Sequence, residues 1–170
     1  MAAAIGHLRH SRRCYHWLFV WIVTMSIWAA GIAKRGATPG IWTALALATI
    51  IFGYAFFVDI SDKISWDEEY ISWRGWDYFA TQPVRHKVRL DQVTEVSTAN
   101  HPANFMPGRP FDRIEIASAP DTIPIMPSFH RREELEELLR YIYSRRPEAF
   151  TDPLVTQYMD GAFSEWWRYR

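Results

Sequence analysis

Two runs without a single Lys, Arg, Asp or Glu constrain this chain more than any other feature. Residues 15–33 read YHWLFVWIVTMSIWAAGIA and residues 41–58 read IWTALALATIIFGYAFFV, separated by KRGATPG. At about 1.5 Å rise per residue, such runs just cross the roughly 30 Å hydrocarbon core of a bilayer. Two buried helices of a soluble domain would need enough protein around them to cover every face, and the rest of the chain is polar. The expectation is a transmembrane helical hairpin over 15–58. A basic lead (1–14) precedes it, and a soluble domain (59–146) and an amphipathic segment (147–170) follow.

Charge is balanced overall and divided locally. All 19 acidic residues lie at or after Asp59, against 14 of the 19 Lys and Arg, so that part carries −5. An acidic domain is a poor partner for nucleic acid, and none is expected. The one cysteine, Cys14, closes no internal disulfide. Arg9, Arg12 and Arg13 before the first run, with Lys63 and Arg74 after the second, outnumber Lys34 and Arg35 between them. That bias predicts a multi-pass protein of the inner (cytoplasmic) membrane with both termini in the cytoplasm. A cleaved signal peptide is disfavoured, because the first run exceeds the usual apolar core of one and a second run follows at once.

In the lead, His7, His10 and Cys14 share a helical spacing that superficially suggests metal ligands, but no supporting carboxylate is near, and a polar interfacial tail is the simpler expectation. In the first run Trp17, Trp21, Thr24 and Trp28 fall within one narrow helical arc. Trp17 can anchor at the interface. Trp21 and Trp28 cannot both do so, which leaves packing on the second helix of the hairpin, on another helix, on a lipid or on a pigment-like ligand.

Only residues 59–62 separate the second run from the next patterned segment, so the soluble domain sits against the membrane. From there the period becomes two. Ile64 and Trp66, then Ile71 and Trp73, alternate about an Asp67-Glu68-Glu69 turn. Residues 78–90 and 93–98 continue strand-like, with Val88 and Leu90 inward and Arg85, Lys87 and Arg89 outward. The loop ANHPANFMPGRP follows. Ile114/Ile116 and Ile123/Ile125 mark two more strands about an Ala119-Pro120-Asp121 turn, with Pro124 requiring an edge position. Leu135, Leu138, Leu139 and Ile142 then define an amphipathic helix capped by Ser128. In the last segment Asp152 and Pro153 open another helix. Its apolar face runs through Phe163, Trp166 and Trp167 and packs on its own domain, in the membrane interface or on a partner.

The fold class read from this pattern is α+β. The hairpin around Lys63 to Trp73, the RLDQVTEV stretch, and RPFDRIEI followed by DTIPIMP and HRREELEELLRYI resemble the bacterial pleckstrin-homology-like membrane proteins over residues 63–146. The resemblance implies a seven-stranded, strongly bent antiparallel sheet capped by a C-terminal helix, with a non-catalytic role in assembly, scaffolding or signalling. Inositide-binding relatives carry basic residues in the first turn, where this chain has Asp67-Glu68-Glu69. Carboxylates there repel phosphate.

His86, His101 and His130 are scattered, and no metalloprotease, redox, nucleophile-elbow or phosphate-loop motif occurs. The sequence predicts no enzyme, no catalytic or metal residues, no cofactor and no small-molecule substrate. It predicts a scaffold or accessory subunit of a larger membrane complex. The bilayer and partner subunits would meet Trp17, Trp21, Trp28, Phe163, Trp166 and Trp167, and an anionic surface or acidic partner would meet Arg85, Lys87 and Arg89. The alternative is a lipid-surface sensor acting alone or as a homo-oligomer.

Overall fold

The computed structural model describes residues 6–10, 12–34, 36, 38–75, 83–100 and 110–163. Strand β1 (Gly6–Leu8) precedes helices α1 (Arg12–Lys34) and α2 (Pro39–Ile60). Strands β2 (Lys63–Trp66), β3 (Tyr70–Gly75) and β4 (Val84–Arg89) follow, then β5 (Glu95–Ala99), β6 (Arg113–Ala117) and β7 (Thr122–Ile125). Helices α3 (Arg132–Arg145) and α4 (Pro153–Met159) end the described chain. The architecture is mixed α+β with two antiparallel sheets, ordered β1-β2-β3-β4 and β5-β6-β7, an arrangement compatible with a pleckstrin-homology-like fold.

The lead is where structure and sequence reading part most. It contributes a strand: Gly6, His7 and Leu8 pair with Trp66, Ser65 and Ile64. Among the described residues, seven strands are reached only by counting this one, which lies on the far side of both helices. Because α1 and α2 are inserted between two paired strands, they leave the same end of the sheet. Gly6 is required there: a Cβ would sit 2.1 Å from the Trp66 indole, which lies across β1. Three residues give too little pattern to read a strand from sequence.

The Asp67 turn forms as expected. Its carboxylate accepts from the backbone N–H groups of Glu69 (2.8 Å) and Tyr70 (2.7 Å), which hold its pKa below the usual carboxylate value. Pro124 lies on β7, at the end of its sheet order. The expected strand over 78–90 is described only from Val84, and residues 78–82 and most of the ANHPANFMPGRP loop lie outside the described residues.

Two helix ends need correction. Ser128 does not cap α3; Arg131 occupies that position and makes no side-chain capping bond. His130 is bridged to His10 and the Arg131 N–H donates to the Arg9 carbonyl (3.0 Å), so docking of the lead holds both residues extended and delays the helix. At the other end, α4 stops at Met159, with Gly161 and Phe163 at positive φ, and residues 164–170 lie outside the described residues. Asp152 does cap α4, accepting from the Leu154 N–H (2.8 Å).

The core is the space between the sheets and α3. Ile71, Ile114, Ile116, Ile123, Ile125, Leu135, Leu138, Leu139 and Ile142 are completely buried in it. Each such side chain contributes about 1.5–3 kcal/mol by leaving water. Val155 and Tyr158 of α4 are buried in the same core, which settles the packing of α4 itself: it covers its own domain.

The helices α1 and α2 contrast with this. Phe19, Ile22, Ile27, Trp28, Leu47, Ile50, Ile51 and Phe52 all lie exposed. Pro39–Val58 is long and apolar enough to cross a membrane and is only 6% buried, while Leu18–Lys34 forms a shorter apolar helix. Thr24, Ser26, Thr43 and Thr49 each donate their hydroxyl to the carbonyl one turn back, at 2.8–3.0 Å.

Candidate functional site

Alternation on β4 puts Arg85, Lys87 and Arg89 on one exposed face, with Val88 buried behind them. The register brings two further cations to the same face. Lys63 of β2 stands opposite Arg74 of β3, and Arg74 stands opposite Arg85 of β4. All three are exposed, and residues directly opposite in antiparallel strands have Cβ atoms about 4.5–5.5 Å apart. A transverse row of three like charges therefore crosses the sheet at the end where α2 delivers the chain.

The five cations differ in what they touch. Lys87 Nζ sits 3.6 Å from the centroid of the Tyr70 ring. Arg89 binds Asp91 through Nε (3.0 Å) and Nη2 (2.8 Å), and this pairing raises the arginine pKa. Lys63, Arg74 and Arg85 have no ion-pair partner among the described residues. Strands β1–β4 contain no Asp or Glu. Of the flanking acids, Asp67 and Asp91 are engaged as described, and Asp62 lies against Gly75.

Arg89 also belongs to a second feature. With Glu68, Glu69, Leu90, Asp91, Arg145 and Arg146 it lines an open cleft of about 360 Å³ at the far end of the sheet. Its arginines are already occupied: Arg145 donates to the Glu68 carbonyl (2.8 Å), and Arg146 to the Asp91 carbonyl and the Glu148 carboxylate. This cleft holds the turn, α3 and the following segment together. The predicted trio thus divides, Arg85 to the unpaired row and Arg89 to a satisfied network, with Lys87 between.

A third cluster forms where the lead meets α3. The rings of His10 and His130 stack with centroids 5.2 Å apart, and neither nitrogen of the 3%-exposed His130 has a hydrogen-bond partner. Burial, and secondarily the His10 charge, bring the His130 pKa down to about 4, against the opposing pull of Glu134. Glu134 is taken by Arg9, through both its backbone N–H (2.7 Å) and its guanidinium. No group of three potential metal ligands occurs among the described residues. The helical spacing of His7 and His10 does not arise, since His7 lies on β1.

The indole face is split. Trp21 packs on Phe52 of α2, centroids 6.0 Å apart, with its Nε1–H buried and unpaired, whereas Trp28 is 64% exposed. The Trp17 side chain and both Trp166 and Trp167 lie outside what the structure describes. Phe163, expected at a docking end, is half-buried edge-on against Phe111 of its own core, ring centroids 6.1 Å apart.

No protein-family model matches the chain, and neither a curated protein nor a solved structure matches it. What the structure offers is a sheet face bearing five cations, rooted on two apolar helices.

Proposed function

We propose that this protein is a non-catalytic membrane scaffold or accessory subunit of a larger membrane complex, holding a pleckstrin-homology-like head against the cytoplasmic face of the inner membrane. In this reading α1 and α2 span the bilayer as a hairpin with both termini cytoplasmic.

The observation that carries the reading is the insertion of two solvent-exposed apolar helices between paired strands β1 and β2. Exposed apolar area on this scale needs lipid or protein around it. The hydroxyls of both helices satisfy themselves on their own backbones, as an apolar surrounding demands. Strand pairing at the root fixes the head to the hairpin instead of tethering it loosely, which suits a scaffold. Trp28 and the neighbouring apolar side chains supply the surface for partner subunits.

The test is extraction followed by mild-detergent purification. The chain should resist alkaline carbonate and bring a defined set of membrane proteins with it, and Trp28→Ala should reduce that set. Recovery from lysate without detergent would overturn the membrane reading. Purification without companions would favour the alternative, a lipid-surface sensor acting alone or as a homo-oligomer, which one observation supports: the carboxylate-free outer face of β2–β4.

A further inference from the structure

We infer that Lys63, Arg74 and Arg85 form a binding row for the phosphates of anionic lipid headgroups on the leaflet from which α2 emerges. The inference rests on the membrane reading of α2 and adds to it the residues and the ligand chemistry.

Three facts converge on this row. The first is electrostatic. Like charges placed directly opposite one another across strands destabilise a sheet, and here two successive pairs, Lys63 with Arg74 and Arg74 with Arg85, are so placed. None of the three forms an ion pair among the described residues, and the nearest described acid, Asp62, lies against Gly75. Such a row is completed by an anion from outside the chain. Guanidinium groups bind phosphate oxygens in a bidentate fork, and a lysine adds a mobile point charge.

The second fact is position. The apolar span ends at Val58 and α2 at Ile60, and Lys63 opens β2 three residues later. Three residues reach at most about 10 Å, comparable to the roughly 5–8 Å headgroup layer on each side of the hydrocarbon. Because β3 runs back toward that end and β4 leaves from it, Arg74 and Arg85 are held at the same level as Lys63. Lys87 and Arg89 lie progressively farther along the strand, and they are the two with partners of their own.

The third fact is exclusion of a competing site. The Asp67–Glu69 turn at the opposite end of the sheet carries three carboxylates and repels phosphate, and the arginines beside it are bound to carbonyls and carboxylates. Phosphate is thereby disfavoured at the end away from α2.

The experiment uses the full chain in mixed micelles of equimolar phosphatidylglycerol and phosphatidylcholine, followed by purification and mass-spectrometric counting of retained lipid. The wild type should retain phosphatidylglycerol about tenfold over phosphatidylcholine, a modest fraction of what three basic groups near an anionic surface can supply. Lys63→Gln/Arg74→Gln/Arg85→Gln should bring the ratio to near parity. Lys63→Arg/Arg74→Lys/Arg85→Lys should keep it, which separates charge from packing, and Lys87→Gln/Arg89→Gln should leave it largely intact. A thermal melt of each variant in neutral detergent checks folding. No enrichment in the wild type, enrichment surviving the triple Gln change, or loss of a companion protein in place of lipid would each overturn the inference. Carbonate extraction of the same membranes keeps the two readings distinct. A chain released by carbonate sinks the membrane reading, whereas a resistant chain without lipid preference sinks only the phosphate row.

Discussion

The two sheets of the head treat their outward charges in opposite ways. On β5–β7 the outward side of the ladder carries Glu95, Arg113 and Glu115, of which Arg113 and Glu115 pair at 2.8 Å, and Asp152 holds the edge by accepting from the Thr98 N–H (2.7 Å) and Thr98 Oγ1 (2.6 Å). On β1–β4 there are five cations, no carboxylate on any strand, and a row of like charges at the helix-proximal end. Both sheets bury the same kind of apolar residue inward. The second sheet pairs its one outward cation within the chain, whereas three of the five cations on the first have no ion-pair partner among the described residues. The difference follows the chain path: the first sheet contains both strands that flank the apolar helices.

The sharpest way to break this comparison is to open the sealed side. Tyr158→Ala removes a fully buried ring packed edge-on against Phe111, ring centroids 6.1 Å apart, and should cost about 3–5 kcal/mol. On the membrane reading proposed above, the head should unfold at markedly lower temperature in a detergent melt while carbonate resistance persists, because insertion would rest on the helices and not on the head. Loss of membrane retention together with head unfolding would show that the two are not separable.

Next in size is the joint between the lead and α3. The buried His130 is held neutral down to about pH 4, whereas in the unfolded chain it takes a proton near 6.5. The unfolded state therefore binds more protons between these values, so this contribution is whole above about 6.5 and is lost as pH falls toward 4. The full span amounts to roughly 3 kcal/mol. His130→Phe should flatten the melting temperature across that window. An unchanged slope would place the acid sensitivity elsewhere.

Asp152→Ala should cost about 1–2 kcal/mol by leaving Thr98 and the first turn of α4 without their acceptor. Burial pushes the Asp152 carboxyl up, but the Thr98 hydroxyl with the Leu154 and Thr98 N–H groups outweighs it, so the net shift is downward. Its stabilisation is thus present above the ordinary carboxylate range and lost as pH falls below it. A mutant that melts with the same acid profile as the wild type would contradict this assignment.

The smallest effect is the most diagnostic of the contrast, because its sign differs between sheets. Arg113→Gln should destabilise by up to about 0.5 kcal/mol, since it strips Glu115 of its partner. Arg74→Gln in neutral detergent should be neutral or stabilising by a few tenths of a kcal/mol, since it relieves two like-charge pairs. Equal destabilisation by both would erase the distinction between a self-paired and an open sheet.

Much of this was legible from residues alone wherever a local rule governs. The alternation of Ile114/Ile116 and Ile123/Ile125, the spacing of Leu135 to Ile142, the Asp67 turn and the Asp152 cap each follow from side-chain periodicity or a short-range hydrogen bond, and each stands in the structure. The pairing of Lys63 with Arg74 could have been counted outward from the turn, because a hairpin fixes its own register. Arg85 could not be added that way, since a longer connection separates β3 from β4 and leaves their register free.

What the sequence determined by itself is therefore local and compositional. It gives two uncharged apolar runs, one of them forming a helix long and apolar enough to cross a membrane, strands of period two, one strongly amphipathic helix, and strands β2–β4 that hold cations and no acids. Only the tertiary structure decided that Gly6–Leu8 belongs to the head, that His130 is buried against His10 and displaces the start of α3, and that Arg85 joins Lys63 and Arg74 in one row. All three depend on contacts between residues far apart along the chain. Such contacts leave no periodic trace in either partner, because their register is set by how the whole core closes.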